Sequence, residues 1–219
     1  MSDDPQSGLD PPPAASPVGM TEGPRRSSRL LSSKTAPLPG AAPLGLALFL
    51  ASLAVLFTAS LVGYAAVRLR AEQWPPPGMP ALPPGLWVST TLLLISSVTM
   101  HAALRGVRRG DARALRVGLV ATTALGVLFL VSQVVSWWAL VSLRVTAGAN
   151  LYAFTFYLLT ALHGAHLLAG LVPLGVTTRR AFAGRYGQGD HQGVVLIAMY
   201  WHFLDGVWLV LFSVLYLIG

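Results

Sequence analysis

Residues 193–218 read GVVLIAMYWHFLDGVWLVLFSVLYLI, a run of 26 residues in which Asp205 is the one charged side chain. A helix needs about 20 apolar residues to cross the hydrocarbon core of a membrane, so this run predicts a transmembrane helix. Four earlier runs of 20 or more residues have the same character, at about 44–67, 85–104, 117–143 and 151–176. Strands of an outer-membrane barrel would be about 10 residues long with alternating polarity, which these runs are not. The sequence therefore predicts an all-α bundle of five transmembrane helices within residues 41–219.

The composition agrees with a membrane protein. Of the 219 residues, 54% are hydrophobic and 11% are charged, whereas soluble domains carry about 25% charged residues. These values exclude a soluble globular enzyme of ordinary type. The chain has no cysteine, which also excludes disulfides, iron–sulfur clusters, thiolate metal sites and thiol nucleophiles.

Residues 1–40 differ from the rest of the chain. They contain eight of the 16 prolines, many serines and no long apolar run. Such a segment buries too little apolar surface to offset the entropy of ordering it, so we expect a disordered tail. Arg25 and Arg26 precede an apolar run, as in a twin-arginine export signal, but that run is too long for a signal peptide.

The basic residues predict the orientation of the helices. Twelve of the 15 Lys and Arg residues lie in the tail, in 105–116 and in 177–192, and the other three are Arg68, Arg70 and Arg144. Because basic loops stay on the cytoplasmic side, we expect a cytoplasmic N-terminus and a periplasmic C-terminus. This asymmetry accounts for the net charge of +7, and no basic cluster comes with aromatic residues on which bases could stack. We therefore expect no nucleic acid partner.

Two predicted helices carry polar pairs near the middle of the membrane. His163 and His166 are three residues apart on the fourth helix, and His202 and Asp205 are three apart on the fifth. Residues at this spacing share a helix face, and the two antiparallel helices bring the pairs to similar depth. We expect a hydrogen-bonded cluster in which Asp205 accepts from an imidazole of the fourth helix. The predicted cluster comprises Thr160, His163, His166, Tyr200, His202 and Asp205.

Three functional interpretations compete with this structural one. The histidines and Asp205 could bind a metal ion, or two histidines on separate helices could ligate a b-type haem. The same groups could belong to a proton path. Further steps of such a path would be His101, Ser132, Gln133 and Ser136. Intramembrane His and Asp residues often pair with one another, so a structural cluster without metal or cofactor is the favoured interpretation.

Both polar segments resemble a known family. Residues 156–170 read FYLLTALHGAHLLAG, and residues 200–208 read YWHFLDGVW. Together, in this order and at the end of the chain, they resemble the subunit III family of haem–copper oxidases in its short, five-helix bacterial form. Weaker similarity extends upstream through Phe49–Ser52, Ser89–Ser97 and Phe129–Gln133, so that the resemblance covers about residues 44–219.

The resemblance implies a non-catalytic subunit of a cytochrome c oxidase in the bacterial inner membrane. Such a subunit carries no haem or copper, packs on catalytic subunit I in a complex that also contains subunit II, and binds phospholipids. On this basis Arg179, Arg180 and Arg185 are candidates to meet lipid phosphates. The equivalent subunit of a quinol oxidase or of a nitric oxide reductase system is the nearest alternative. A stand-alone transporter that uses the His and Asp residues is the alternative from another class.

The chain departs from the family pattern at three positions. Where the family usually has glutamates, this sequence has Leu53, Ser136 and Val195. The resemblance therefore does not extend to a role that depends on the first of these carboxylates. The His and Asp signatures are retained.

Overall fold

The computed structural model describes residues 41–80 and 82–217, which form five α-helices and no strand. The helices are α1 (Ala41–Arg70), α2 (Gly85–Arg109), α3 (Ala112–Ser142), α4 (Leu151–Phe182) and α5 (Gln192–Leu217). Each is long and apolar enough to cross a membrane. The predicted all-α fold with five transmembrane helices is confirmed. The predicted disordered tail, residues 1–40, lies outside the described residues.

The helices extend beyond the apolar runs into the basic segments. The basic segment 105–116 is almost entirely helical, because only Gly110 and Asp111 separate α2 from α3. Gly110 ends α2 with φ of 77°, and the Asp111 side chain accepts hydrogen bonds of 2.9 Å from the backbone N–H groups of Arg113 and Ala114. Apolar runs mark the thickness of the hydrocarbon core, whereas arginine is a good helix former and continues the helix into the interface.

Four of the helices form a closed ring. α2 packs on α3, α3 on α4, α4 on α5, and α5 on α2, with the most extensive contact between α2 and α3. α1 packs on the outside of this ring against α4 and α5. Its buried side chains are Leu53, Phe57 and Tyr64, which lie four and seven residues apart on one narrow stripe. Most of α1 therefore faces the surroundings of the subunit.

Large side chains fill the centre of the ring. Trp201 and Trp208 of α5 are buried, as are Phe129 of α3 and Leu167 of α4. The outward faces are apolar as well, for example Val98 at 69% and Trp138 at 79% exposure. An apolar exterior around a packed interior is what a bundle in contact with lipid requires.

Close approach of α2 and α3 depends on glycine. A Cβ atom built at Gly118 would lie 2.7 Å from the Cβ atom of Ala103 and 2.8 Å from the carbonyl oxygen of Thr99. A side chain at this position would push the two backbones apart. Gly63 of α1 provides a contrast, because nothing lies within 4 Å of a Cβ atom built there.

We predict that Gly118→Ala destabilises the subunit by about 1–3 kcal/mol, because the added methyl group overpacks the interface between α2 and α3. Gly63→Ala is the matched control and is expected to leave stability equal or slightly higher, since alanine is the better helix former. Thermal unfolding in detergent measures both variants. Equal melting temperatures for the two variants would show that the close approach is absent.

Candidate functional site

The α4 part of the predicted cluster lies among aromatic rings. His163 is fully buried, and its ring centroid lies 4.9 Å from that of Trp208, 5.5 Å from Phe129 and 6.3 Å from Phe57. Neither ring nitrogen has a hydrogen-bond partner within the described residues. These contacts make His163 a packing residue where α1, α3, α4 and α5 meet.

The α5 part of the cluster is directed towards α2. His202 Nδ1 lies 2.9 Å from the hydroxyl oxygen of Ser97 and 3.6 Å from Asp205 Oδ2. His101 is close by, with its ring centroid 6.4 Å from that of His202. Asp205 is 5% exposed, and the ionisable side chain next to it, that of His202, is on the same helix. Ser97, His202 and Asp205 thus form a polar chain between α2 and α5.

The predicted hydrogen bond between Asp205 and an imidazole of α4 does not form. Within the described residues, neither carboxylate oxygen of Asp205 and neither ring nitrogen of His163 has a hydrogen-bond partner. The two pairs lie at similar depth but on different faces, because α5 packs against both α4 and α2 and directs His202 and Asp205 towards α2. Depth follows from position in the run, whereas the rotation of each helix about its axis does not.

Other residues of the predicted cluster link α4 to its neighbours. The Tyr200 hydroxyl donates to the backbone carbonyl of His166 at 2.7 Å, and this bond joins α5 to α4. Thr160 accepts a hydrogen bond of 3.2 Å from the Trp137 indole of α3. His166 Nδ1 lies 2.8 Å from the carbonyl oxygen of Leu162 on its own helix. Tyr200 and Thr160 therefore link neighbouring helices, whereas His166 contacts a backbone carbonyl of its own helix.

A second set of polar contacts escaped the sequence interpretation. The indole N–H of Trp208 donates to the Thr90 hydroxyl, and that of Trp201 donates to the Ser96 hydroxyl, both at 3.0 Å. Both bonds connect α5 to α2. Thr90 and Ser97, like Ser89 and Ser96, are seven residues apart, and this repeat of hydroxyl residues along one face of α2 is the signal that could have revealed them.

The donor set does not favour the metal interpretation. Within residues 41–80 and 82–217, no three His, Asp or Glu side chains come together as a group that could hold a metal ion. His163 faces aromatic rings, whereas His202 faces Ser97. The site is thus built from hydrogen bonds and ring packing between helices.

Comparison with known proteins identifies the family. Residues 26–219 match the family model for cytochrome c oxidase subunit III. Cytochrome c oxidase subunit 3 of Thermostichus vulcanus is 34% identical over 176 residues, which cover 80% of this chain and 86% of that protein. Cytochrome c oxidase subunit 3 of Synechocystis is 35% identical over 178 residues, which cover 80% and 74%. A probable cytochrome c oxidase subunit 3 of Mycobacterium leprae is 29% identical over 181 residues, which cover 82% and 89%.

The chain belongs to the cytochrome c oxidase subunit III family. The resemblance stated from the two polar segments is thereby confirmed, together with the role of an oxidase subunit III. The five apolar helices make this subunit III a multi-pass membrane protein.

Uncharged residues occupy the three positions where the family usually has glutamates. Leu53 is 6% exposed and lies one turn before Phe57, whose ring contacts those of His163 and His166. The Ser136 hydroxyl donates to the carbonyl of Ser132 on its own helix. Val195 lies in the first turn of α5 and is half-buried. In this subunit III, apolar packing and a local hydrogen bond stand where carboxylates were expected.

The three arginines proposed for lipid phosphates lie together. Arg179, Arg180 and Arg185 line one groove of about 270 Å³ at the end of α4, with Val176 and Ala183. The guanidinium of Arg116 reaches the same end of α4, where its Nε donates to the carbonyl of Ala181 at 3.2 Å.

We predict that Trp208→Phe destabilises this subunit III by about 1 kcal/mol or more, because the buried Thr90 hydroxyl loses its indole donor. Trp138→Phe is the control, since Trp138 is 79% exposed on α3 and should cost little. Thermal unfolding of both variants in detergent distinguishes them. A Trp208→Phe variant as stable as wild type would contradict a stabilising role of this bond.

Proposed function

We propose that this chain is the accessory, non-catalytic subunit III of a bacterial respiratory cytochrome c oxidase, in which it packs on subunit I in a complex with subunit II. The observation that carries the proposal is the family match over residues 26–219, which includes all five helices. The relatives compared with it above are named as subunit 3 of cytochrome c oxidase. The subunit has no active site of its own in this proposal and supports the chemistry of its partners.

The location proposed is the bacterial inner membrane, with a cytoplasmic N-terminus. Eight arginines of the described residues gather at one end of the bundle, and three lie at the other end. The eight are Arg105, Arg108, Arg109, Arg113, Arg116, Arg179, Arg180 and Arg185, and the three are Arg68, Arg70 and Arg144. The positive-inside rule supports the assignment of the arginine-rich end to the cytoplasm.

Introduced cysteines test this orientation, because the chain has no cysteine of its own. Gly148 between α3 and α4 and Gly187 between α4 and α5 are exposed, and each has open space around a built Cβ atom. We predict that a membrane-impermeant maleimide labels Gly148→Cys in intact spheroplasts and labels Gly187→Cys only after permeabilisation. The opposite pattern would reverse the orientation.

The proposed function includes phospholipid binding at the arginine groove. Arg179, Arg180 and Arg185 line one concave surface at the end of α4. Guanidinium groups bind phosphate well, and each basic residue near an anionic membrane surface contributes about 1 kcal/mol. The exposed apolar residues Val172, which precedes the groove, and Val176, which lines it, suit the acyl chains of a lipid held there.

We predict that Arg179→Gln, Arg180→Gln and Arg185→Gln in one variant lower the amount of anionic phospholipid retained by the purified complex. The matched control replaces Arg108, Arg109 and Arg113 with Gln, which removes the same charge from the same end of the bundle. Mass spectrometry of extracted lipid gives the ratio of lipid to subunit. If both triple variants retain the same amount of lipid, the effect comes from the total charge at this end of the bundle, and the proposal of phospholipid binding at the arginine groove is wrong.

Affinity purification tests the complex itself. We predict that the chain, tagged at its N-terminus and extracted in mild detergent, co-purifies with a haem–copper catalytic subunit. The purified material should then show the Soret band of that partner and cytochrome c oxidase activity. Recovery of the tagged chain without any haem-containing partner would contradict the proposal.

A further inference from the structure

A polar patch lies on the outward membrane-facing side of α2 and α5. We name it the imidazole patch, and it consists of Ser97 and His101 of α2 and His202 of α5. His101 is exposed, and the His202 side chain is 37% exposed. The His202 ring is held by Ser97 at 2.9 Å, and the two imidazole rings are 6.4 Å apart.

The imidazole patch lies within the apolar segments of α2 and α5, with His101 one turn before Arg105 at the basic end of α2. His101 precedes the end of α2 at Arg109 by eight residues, or about 12 Å of helix. His202 follows the start of α5 at Gln192 by ten residues, or about 15 Å. The neighbouring outward side chains of α2, Leu94 and Val98, are apolar and exposed. The patch is therefore an island of imidazole in a surface otherwise suited to lipid.

His101 differs from other outward polar residues of the helices. Ser52, Thr91 and Ser213 each donate a hydroxyl proton to the backbone carbonyl four residues earlier. His166 shows that an imidazole of this chain can also lie within hydrogen-bond distance of such a carbonyl. His101 has no hydrogen bond within the described residues. Lipid hydrocarbon offers none either, so a polar group of a partner molecule would stabilise this exposed ring.

The charges around the patch indicate the chemistry of that partner. Asp205 is 3.6 Å from His202, on the inner side of the patch. α2 itself has no acidic residue, and one turn beyond His101 its outward face carries the exposed Arg105. The outward side therefore offers imidazole and guanidinium groups without a carboxylate, and an acid from another molecule would complement them.

The shape of the neighbouring surface admits a helix. α1 and α2 both pack on α5, and the structure places no contact between α1 and α2, so the outward face of α5 lies between them. On that face, nothing lies within 4 Å of a Cβ atom built at Gly206. His202 and Gly206 also line a groove of about 420 Å³ between α1 and α5. Small residues on such a face let a second helix approach closely.

We infer that the outward face of α2 and α5 docks a transmembrane helix of another oxidase subunit, and that this helix presents an Asp or Glu side chain to His101. The inference rests on the proposed function, because it requires the oxidase complex. It adds the surface used, the residue at its centre and the chemistry of the partner side chain.

Photo-crosslinking in the assembled complex tests the occupant. A benzophenone amino acid replaces Val98, which is 69% exposed beside His101, and the control replaces Val135, which is 62% exposed on α3. The expected adduct from position 98 is a transmembrane peptide of a co-purified oxidase subunit that contains Asp or Glu. Adducts with lipid alone, or with a second copy of this chain, would overturn the inference.

A charge series at His101 tests the chemistry. His101→Lys is expected to remain in the purified complex, His101→Leu to be partly lost, and His101→Glu to be retained about tenfold less than wild type because two acids would face each other. The ratio of this chain to the catalytic subunit measures retention, and Ser52→Glu at an exposed position of α1 is the control. The melting temperature of each variant chain shows that it has folded.

The two possible failures are distinguishable. If wild-type chain brings down no catalytic subunit, the proposed function fails. If wild-type chain assembles and His101→Glu assembles equally well, the docking inference alone is overturned.

Discussion

A membrane interior offers no water, so the polar groups of the bundle take their hydrogen-bond partners mainly from other helices or from their own backbone. The indole N–H groups of Trp201 and Trp208 meet this constraint through Ser96 and Thr90, and these two bonds tie α5 to α2. Because both indoles lie at the centre of the ring, their orientation also sets which face of α5 points outward. The outward position of His202 is a consequence.

The same constraint explains how this member of the subunit III family differs from the family pattern. A buried carboxylate in a membrane needs a partner. Removal of one member of a buried pair leaves the other group without its partner and destabilises the protein. Here Leu53 packs beside Phe57, and His163 is enclosed by rings instead of by acids. Asp205 lies on the other side of α5, next to His202. The carboxylate of Asp205 thus lies between α2 and α5. The contact of α1 with α4, in contrast, is formed by apolar side chains and by rings.

Much of the fold was predictable from the sequence, whereas less of the candidate site was. Helix number and approximate bounds follow from runs such as 193–218, because hydrocarbon thickness sets the length of an apolar helix. Spacing showed that His163 and His166 lie on one side of α4, and His202 and Asp205 on one side of α5. It did not show whether those sides face each other. The Trp208–Thr90 bond was missed because it joins residues 118 positions apart.

The sequence by itself determined five membrane crossings, the family and the asymmetry of charge, since each depends on local composition or on short motifs. Only the tertiary structure decided that His163 is packed by aromatic rings, that His202 bonds to Ser97, and that His101 faces outward. The reason is that these contacts depend on how each helix is rotated about its axis. Packing of tryptophan and glycine side chains across all the interfaces sets that rotation jointly, and no single segment encodes it.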